Sequence, residues 1–229
     1  MNRHILLINP NSSQATSAMM QAIAQRAAAD ALAVAVATAK RSPAMIVTEE
    51  DLLASAEEVV EIGLRHAPDC VGIIVSAFGD PGLEALRRQV DIPVAGICEA
   101  SMRMASQGGR RFGVATTTPR LVDAIAARAS ALGLAELLTG IRCTTGDPAA
   151  LTDDKAALTE ALGEMVQACI AHGAEAVIIG GGPLGEAAGA LEARFSTSVI
   201  SPIPCAVASL LERIPSTQSG ARTGVAAAE

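Results

Sequence analysis

Four short stretches carry the polar and small residues that could hold a small molecule. Asn9-Pro10-Asn11-Ser12-Ser13 follows an apolar run and precedes a helical one, with Ser12 or Ser13 placed to cap the helix. Free backbone N–H groups at such a start suit a carboxylate or carbonyl oxygen, although a capped turn alone accounts for the residues equally. Ser76-Ala77-Phe78-Gly79-Asp80-Pro81-Gly82 offers the Ser76 hydroxyl, which needs a neighbouring base before it can act as a nucleophile. Asp80-Pro81 in the same stretch suits a helix start, Asp as cap and Pro in the first turn. Thr116-Thr117-Thr118-Pro119 sets three hydroxyls before another helix, as ligands or as caps. Gly180-Gly181-Gly182-Pro183 lets backbone approach a ligand closely, or simply makes a tight turn. It matches neither the Walker nor the dinucleotide glycine pattern, so no nucleotide cofactor is expected.

Acid–base groups are scarce around these loops. His4 opens a strand, and His66 and His172 close helices that lead into strands, which puts all three at the opposite end of the sheet. Glu99, in Ile97-Cys98-Glu99-Ala100, is the best-placed carboxylate, and it also reads as a first-turn acid complementing a helix dipole. No cluster with metal-ligand spacing occurs, so no metal is expected.

The loops need elements to position them. Apolar runs of strand length fall at 5–8, 34–37, 72–75, 94–97, 112–115, 141–143, 177–179 and 199–200, and helical stretches lie between them. This alternation implies parallel sheets wrapped by helices, the α/β class. An internal repeat sharpens the picture. Gly72-Ile73-Ile74-Val75-Ser76-Ala77-Phe78-Gly79 pairs with Ala176-Val177-Ile178-Ile179-Gly180-Gly181-Gly182-Pro183, with Ala77 matching Gly181. The run from Ile5 to Asn11 likewise pairs with that from Phe112 to Thr118. The expectation is two pseudo-symmetric, Rossmann-like halves with a site in the cleft between their strand ends. The first half covers 1–97 and is joined by a C-terminal helix over 204–214; the second covers 98–197; 215–229 reads as a flexible tail.

Composition narrows the function classes. Half the residues are hydrophobic, which excludes a disordered chain, and with no Trp or Tyr and three Phe the core must be built from Ala, Val, Ile and Leu. The net charge of −7, without a basic stripe, gives no support to nucleic-acid binding. No apolar stretch reaches the roughly 18 residues of a membrane span, and the start reads as no secretory signal. Five scattered cysteines without a CxxC pair read as reduced thiols in the cytoplasm. A small-molecule substrate and a homo-oligomer are the expected partners.

Together the loops resemble those of hydantoin and allantoin racemases of the aspartate/glutamate/hydantoin racemase superfamily. The likeness runs through Ile8-Asn9-Pro10-Asn11-Ser12-Ser13, Phe78-Gly79-Asp80-Pro81-Gly82-Leu83, Pro93-Val94-Ala95-Gly96-Ile97-Cys98-Glu99-Ala100, Phe112-Gly113-Val114-Ala115-Thr116-Thr117 and Gly173-Ala174-Glu175-Ala176-Val177-Ile178-Ile179-Gly180. It implies a cofactor-independent isomerase with Asn11, Phe78, Gly79, Thr116, Thr117, Gly181 and Gly182 as substrate-binding groups. In such racemases two cysteines on opposite faces of the substrate α-carbon exchange its proton. The resemblance sets those positions at Ala77 and Gly181, neither of which transfers a proton. Ser76, Glu99 or a bound water is then left to replace the thiols. Hydrolysis or elimination on the same scaffold, and binding of a metabolite without turnover, stand beside isomerisation.

Overall fold

The computed structural model describes residues 4–215. In chain order these form β1 (His4–Asn9), α1 (Gln14–Ala28), β2 (Ala33–Thr38), α2 (Glu49–His66), β3 (Gly72–Val75), α3 (Leu83–Arg87), β4 (Val94–Gly96) and α4 (Ile97–Ala105). There follow β5 (Phe112–Thr116), α5 (Val122–Ala131), β6 (Leu138–Cys143), α6 (Pro148–Asp153), α7 (Lys155–Ala171), β7 (Ala176–Ile179), α8 (Gly185–Glu192), β8 (Ser198–Ile200) and α9 (Pro202–Arg213). The flexible tail expected over 215–229 lies, from residue 216 on, outside the described residues.

The strands form two four-stranded parallel sheets, ordered β2-β1-β3-β4 and β6-β5-β7-β8. The shared order gives β1 and β5, and likewise β3 and β7, equivalent places. The inner strands are covered on both faces and therefore read as continuous apolar runs: β1, β3, β5 and β7 are buried almost throughout, whereas the edge strand β6 is only half-buried. Small side chains let helices sit close. Ala24, Ala28, Ala100 and Ala206 share one apolar cluster with Ile5, Leu7, Ile74 and Leu210, so α9 packs on the first sheet beside α1 and α4. Around the second sheet, Ala115, Ala187 and Ala188 pack with Leu162, Val166 and Ile179.

Helix starts are chemically marked. The Thr48 side chain accepts from the Asp51 amide while Asp51 reaches back to the Thr48 amide, closing a capping box on α2. Asp154 accepts from the amides of Ala156 and Ala157 to start α7, and Asp147, followed by Pro148, starts α6, a helix that the apolar pattern does not reveal. The strand expected over 94–97 stops at Gly96. Ile97 is already helical because the distant Asp80 carboxylate accepts from the amides of Cys98 and Glu99 at 2.9 and 2.7 Å and so caps α4 from outside. Gly96 has to be glycine, since a β-carbon there would collide with that carboxyl group.

Candidate active site

The C-terminal ends of β1, β3, β5 and β7 converge on a narrow cleft of ≈ 60 Å³ between the two sheets. At the end of β1, the fully buried Asn9 holds its loop shut. Its Nδ2 donates to Asn11 Oδ1 at 2.8 Å and Ser17 Oγ at 2.9 Å, and its Oδ1 accepts from the Asn11 amide at 3.1 Å. Asn11 Oδ1 also accepts from the Ser13 amide at 2.9 Å. With the acceptor side of Asn11 engaged inside the loop, its NH2 group is left without a partner among the described residues, in a side chain that lines the cleft.

At the end of β3, Ser76 is buried, and its hydroxyl donates to the weakly accepting sulfur of Met20 at 3.1 Å. Ala77 lines the cleft with a methyl group only. Behind it the chain turns sharply: Gly79 and Asp80 have φ of +143° and +53°, and the Asp80 amide returns to the Ala77 carbonyl at 3.0 Å. The Phe78 ring crosses to the second sheet and packs over Gly180, where a β-carbon would stand 3.0 Å from Phe78 Cε1. At the end of β5, Thr116 donates to the Gly180 carbonyl at 2.7 Å and lies 3.1 Å from the Thr118 hydroxyl, tying β5 to the glycine turn. Thr117 faces the cleft with a hydroxyl that has no partner among the described residues. Glycine at 182 leaves room for its neighbours, since a β-carbon there would be 2.5 Å from Met20 Sδ, which would have to shift, and 3.2 Å from the Ser76 carbonyl.

The remaining wall is apolar: Met45, Ile46, Leu52, Leu121 and Leu184. Met45 and Ile46 ride on the segment after β2, which is anchored by Glu58 accepting from the Lys40 and Arg41 amides at 2.8 and 2.9 Å. Past Met45, Thr152 and Pro183 the cleft opens into a wider trench of ≈ 720 Å³ between α1, α7 and α8.

Among the residues expected at the site, Asn11, Ser76, Ala77, Phe78, Thr117, Gly181 and Gly182 line this cleft. Gly79 and Thr116 stand behind it as turn and tether. Glu99 is elsewhere. Its carboxylate accepts from Arg103 Nε and Arg87 at 2.9 Å and from Arg128 at 2.7 Å, and it lines a separate cavity. Burial pushes the Glu99 acid upward, but the bond from Arg103 and the charges of Arg87 and Arg128 outweigh it and hold the carboxyl below its usual range. Sequence reasoning missed Met45, Ile46, Leu52, Leu121 and Leu184, because an apolar wall has no chemical signature in a linear chain, and missed Thr152 because it sits on α6, which the apolar pattern does not reveal. Thr118, within the recognised threonine run, joins the lining as well.

None of the residues lining the cleft is Asp, Glu, His, Cys, Lys or Arg. The five cysteines are free and stand outside it, and burial pushes each thiol up, Cys169 to about 11 and Cys205 to about 12. His172 closes α7, its Nδ1 2.7 Å from the Ala168 carbonyl, and no histidine lines the cleft. What the cleft offers is hydrogen-bond donors and an apolar face. It can hold a flat polar molecule and stabilise negative charge developing on an oxygen. Among the described residues there is no grouping that could hold a metal ion, and no helix long and apolar enough to cross a membrane.

A family model described as Asp/Glu/Hydantoin racemase matches residues 5–210. A hydantoin racemase of Rhizobium meliloti is 30% identical over 206 residues, covering 89% of this chain and 86% of that protein. One of Paenarthrobacter aurescens is 29% identical over 207 residues, covering 88% and 87%. The structure of an allantoin racemase from Klebsiella pneumoniae superposes with a TM-score of 0.86 at 27% identity, over 92% of this chain and 87% of the other.

Proposed function

Because the chain belongs to the Asp/Glu/hydantoin racemase family, we propose that it is a racemase-like enzyme acting on a small cyclic amide of hydantoin or allantoin type by a route other than two-thiol proton exchange. The supporting observation is the composition of the cleft. Polar donors and apolar walls are present, and no side chain that titrates near neutrality lines it. In this reading the Asn11 amide and the Thr117 hydroxyl donate to the ring carbonyls, and the ring stacks against Phe78. The α-carbon sits between Ala77 and Gly181. Loss of its proton builds charge on a carbonyl oxygen, which these donors stabilise. Of the two expected acid–base groups the cleft holds only Ser76. A serine hydroxyl is a poor base near neutrality and a neutral water is no better, so solvent hydroxide reaching the cleft takes the α-proton as water, and a water on the opposite face returns one to the carbanion and leaves as hydroxide. A substituent on the ring has the Met45–Thr152–Pro183 rim and the trench beyond it as its way out.

The missing ionisable group also favours a second reading, a metabolite-binding protein without turnover. The deciding experiment is proton NMR in D2O with a panel of hydantoins, allantoin, aspartate, glutamate and their N-carbamoyl forms. Deuterium at the α-carbon with loss of optical rotation supports isomerisation. New products without α-exchange point to a hydrolase or lyase. Thermal stabilisation by one compound without any reaction supports the binding protein.

The same proposal divides the chain into the halves 1–97, with the helix over 204–214, and 98–197, and takes the protein as a cytoplasmic homo-oligomer. Five free thiols fit a reducing compartment.

A further inference from the structure

Arginines from three helices gather around a second cavity, which shares no lining residue with the cleft. It measures ≈ 190 Å³ and is lined by Arg87 of α3, Glu99 and Arg103 of α4, and Ser209 and Arg213 of α9, over a floor that includes Ala95 and Gly96. Three guanidinium groups therefore line the cavity beside one carboxylate, with Glu84 reaching Arg87 Nη1 at 3.3 Å from outside the lining, in a chain whose net charge is −7.

That carboxylate is already saturated. Arg103 Nε takes one oxygen of Glu99, while Arg87 and Arg128 share the other. Arg213 finds no carboxylate among the described residues. Its Nε donates to the Ser209 carbonyl and its Nη2 to the Val94 carbonyl, both at 3.0 Å. The Val94 oxygen also receives Arg87 Nε and Nη2 at 3.0 Å, so it has no capacity left. Arg213 Nη1, both terminal nitrogens of Arg103 and the Ser209 hydroxyl donate to nothing else among the described residues. Burial, followed by the repulsion of Arg87, lowers the Arg213 pKa against the opposing pull of Glu99 and Glu212.

We propose that this cavity between α3, α4 and α9 is a binding site for a small oxyanion with two negative charges, a phosphate group in particular. Planar guanidinium edges fit tetrahedral oxygens in pairs, and such an anion offsets the excess of arginine over carboxylate in the lining. The small floor leaves room for such a group. The site is wired to the turn beside the cleft: Arg128 bridges Glu99 at 2.7 Å and Asp80 at 3.4 Å.

The test is calorimetric titration of the full chain with inorganic phosphate and, separately, with glycerol phosphate, against sodium chloride at matched ionic strength. Saturable phosphate binding is expected, at least tenfold weaker in R213Q and in R103Q and unchanged in the cleft variant T117V. Arg103 is 59% exposed, so R103Q keeps the test valid if R213Q fails to fold. Tighter binding of glycerol phosphate identifies a phosphate monoester as the ligand, and equal or tighter binding of inorganic phosphate identifies the free anion. No saturable signal above the chloride control with either compound, or undiminished binding in R213Q and R103Q, overturns the proposal.

Discussion

Cysteine placed at both Ala77 and Gly181 tests whether these positions face the two sides of a substrate's α-carbon. At Gly181 the backbone is extended, with φ 164° and ψ 135°, so a side chain meets no backbone strain. Space is the difficulty. A β-carbon there would stand 3.0 Å from both Cγ and Cδ1 of Leu184, a few tenths of an ångström inside comfortable contact. Crowding of this kind costs about 1–3 kcal/mol, and loss of glycine's freedom in the unfolded chain returns about 0.4–1 kcal/mol. G181C should thus lose at most about 2.6 kcal/mol, a fall in Tm of no more than roughly 10 °C for a chain of this length. A77C adds a sulfur where the chain already borders open cleft, and should cost less. The assay is proton NMR of single enantiomers of a 5-substituted hydantoin in D2O, with optical rotation followed in parallel. Each single variant should exchange the α-proton of one enantiomer with retention, because one base returns its proton to the face from which it came. The double variant should exchange both and racemise, roughly 10²–10⁴-fold above the parent, the usual worth of a positioned acid–base group. A folded double variant that binds the hydantoin yet exchanges no faster than the parent would refute the placement of the α-carbon.

T117V keeps the shape of the cleft wall and removes one donor; the affinity for a bound hydantoin should fall by about three- to tenfold, read by calorimetry. D80N should destabilise the fold by about 1–3 kcal/mol in urea melts, because its amide nitrogen would face the Cys98 or Glu99 N–H that a carboxylate oxygen now accepts. Asp80 and Glu99 should give opposite pH signatures. Burial pushes Asp80 up to about 6 against the pull of the Glu99 and Cys98 amides and of Arg128, so carbon-13 NMR should find its midpoint there. The folded protein then holds this proton more tightly than the unfolded chain, and the stability it contributes at low pH is lost as pH rises through about 6. Glu99, held low by its arginines, contributes stability above the ordinary carboxylate range that is lost as pH falls through its depressed value; E99Q should remove that acid-side slope in melts compared across pH.

Much of this molecule was legible in its linear order. Alternating apolar runs and helical stretches specify parallel sheets because an inner strand covered on both faces has to be apolar throughout, as β1 and β3 are. The repeat around Ala77 and Gly181 implies two halves, and the shared strand order gives β3 and β7 equivalent places. The loops at strand ends were legible too, since Asn, Ser, Thr and Gly before a helix leave donors free. Tertiary structure alone decided which of those donors remain available. Thr116 and Thr117 are adjacent and identical in kind, yet the Gly180 carbonyl occupies one hydroxyl and the other faces the cleft. Glu99 follows β4 as a site carboxylate would, but besides Arg103 one turn along its own helix, Arg87 of α3 and Arg128 of α5 come from distant parts of the chain to claim it. Ile97 reads as strand and folds as helix because Asp80, far away in the chain, caps it. Local pattern determines what a segment can form, whereas a partner's occupancy of a hydroxyl, a carboxylate or an amide depends on contacts between distant residues, which linear order does not contain.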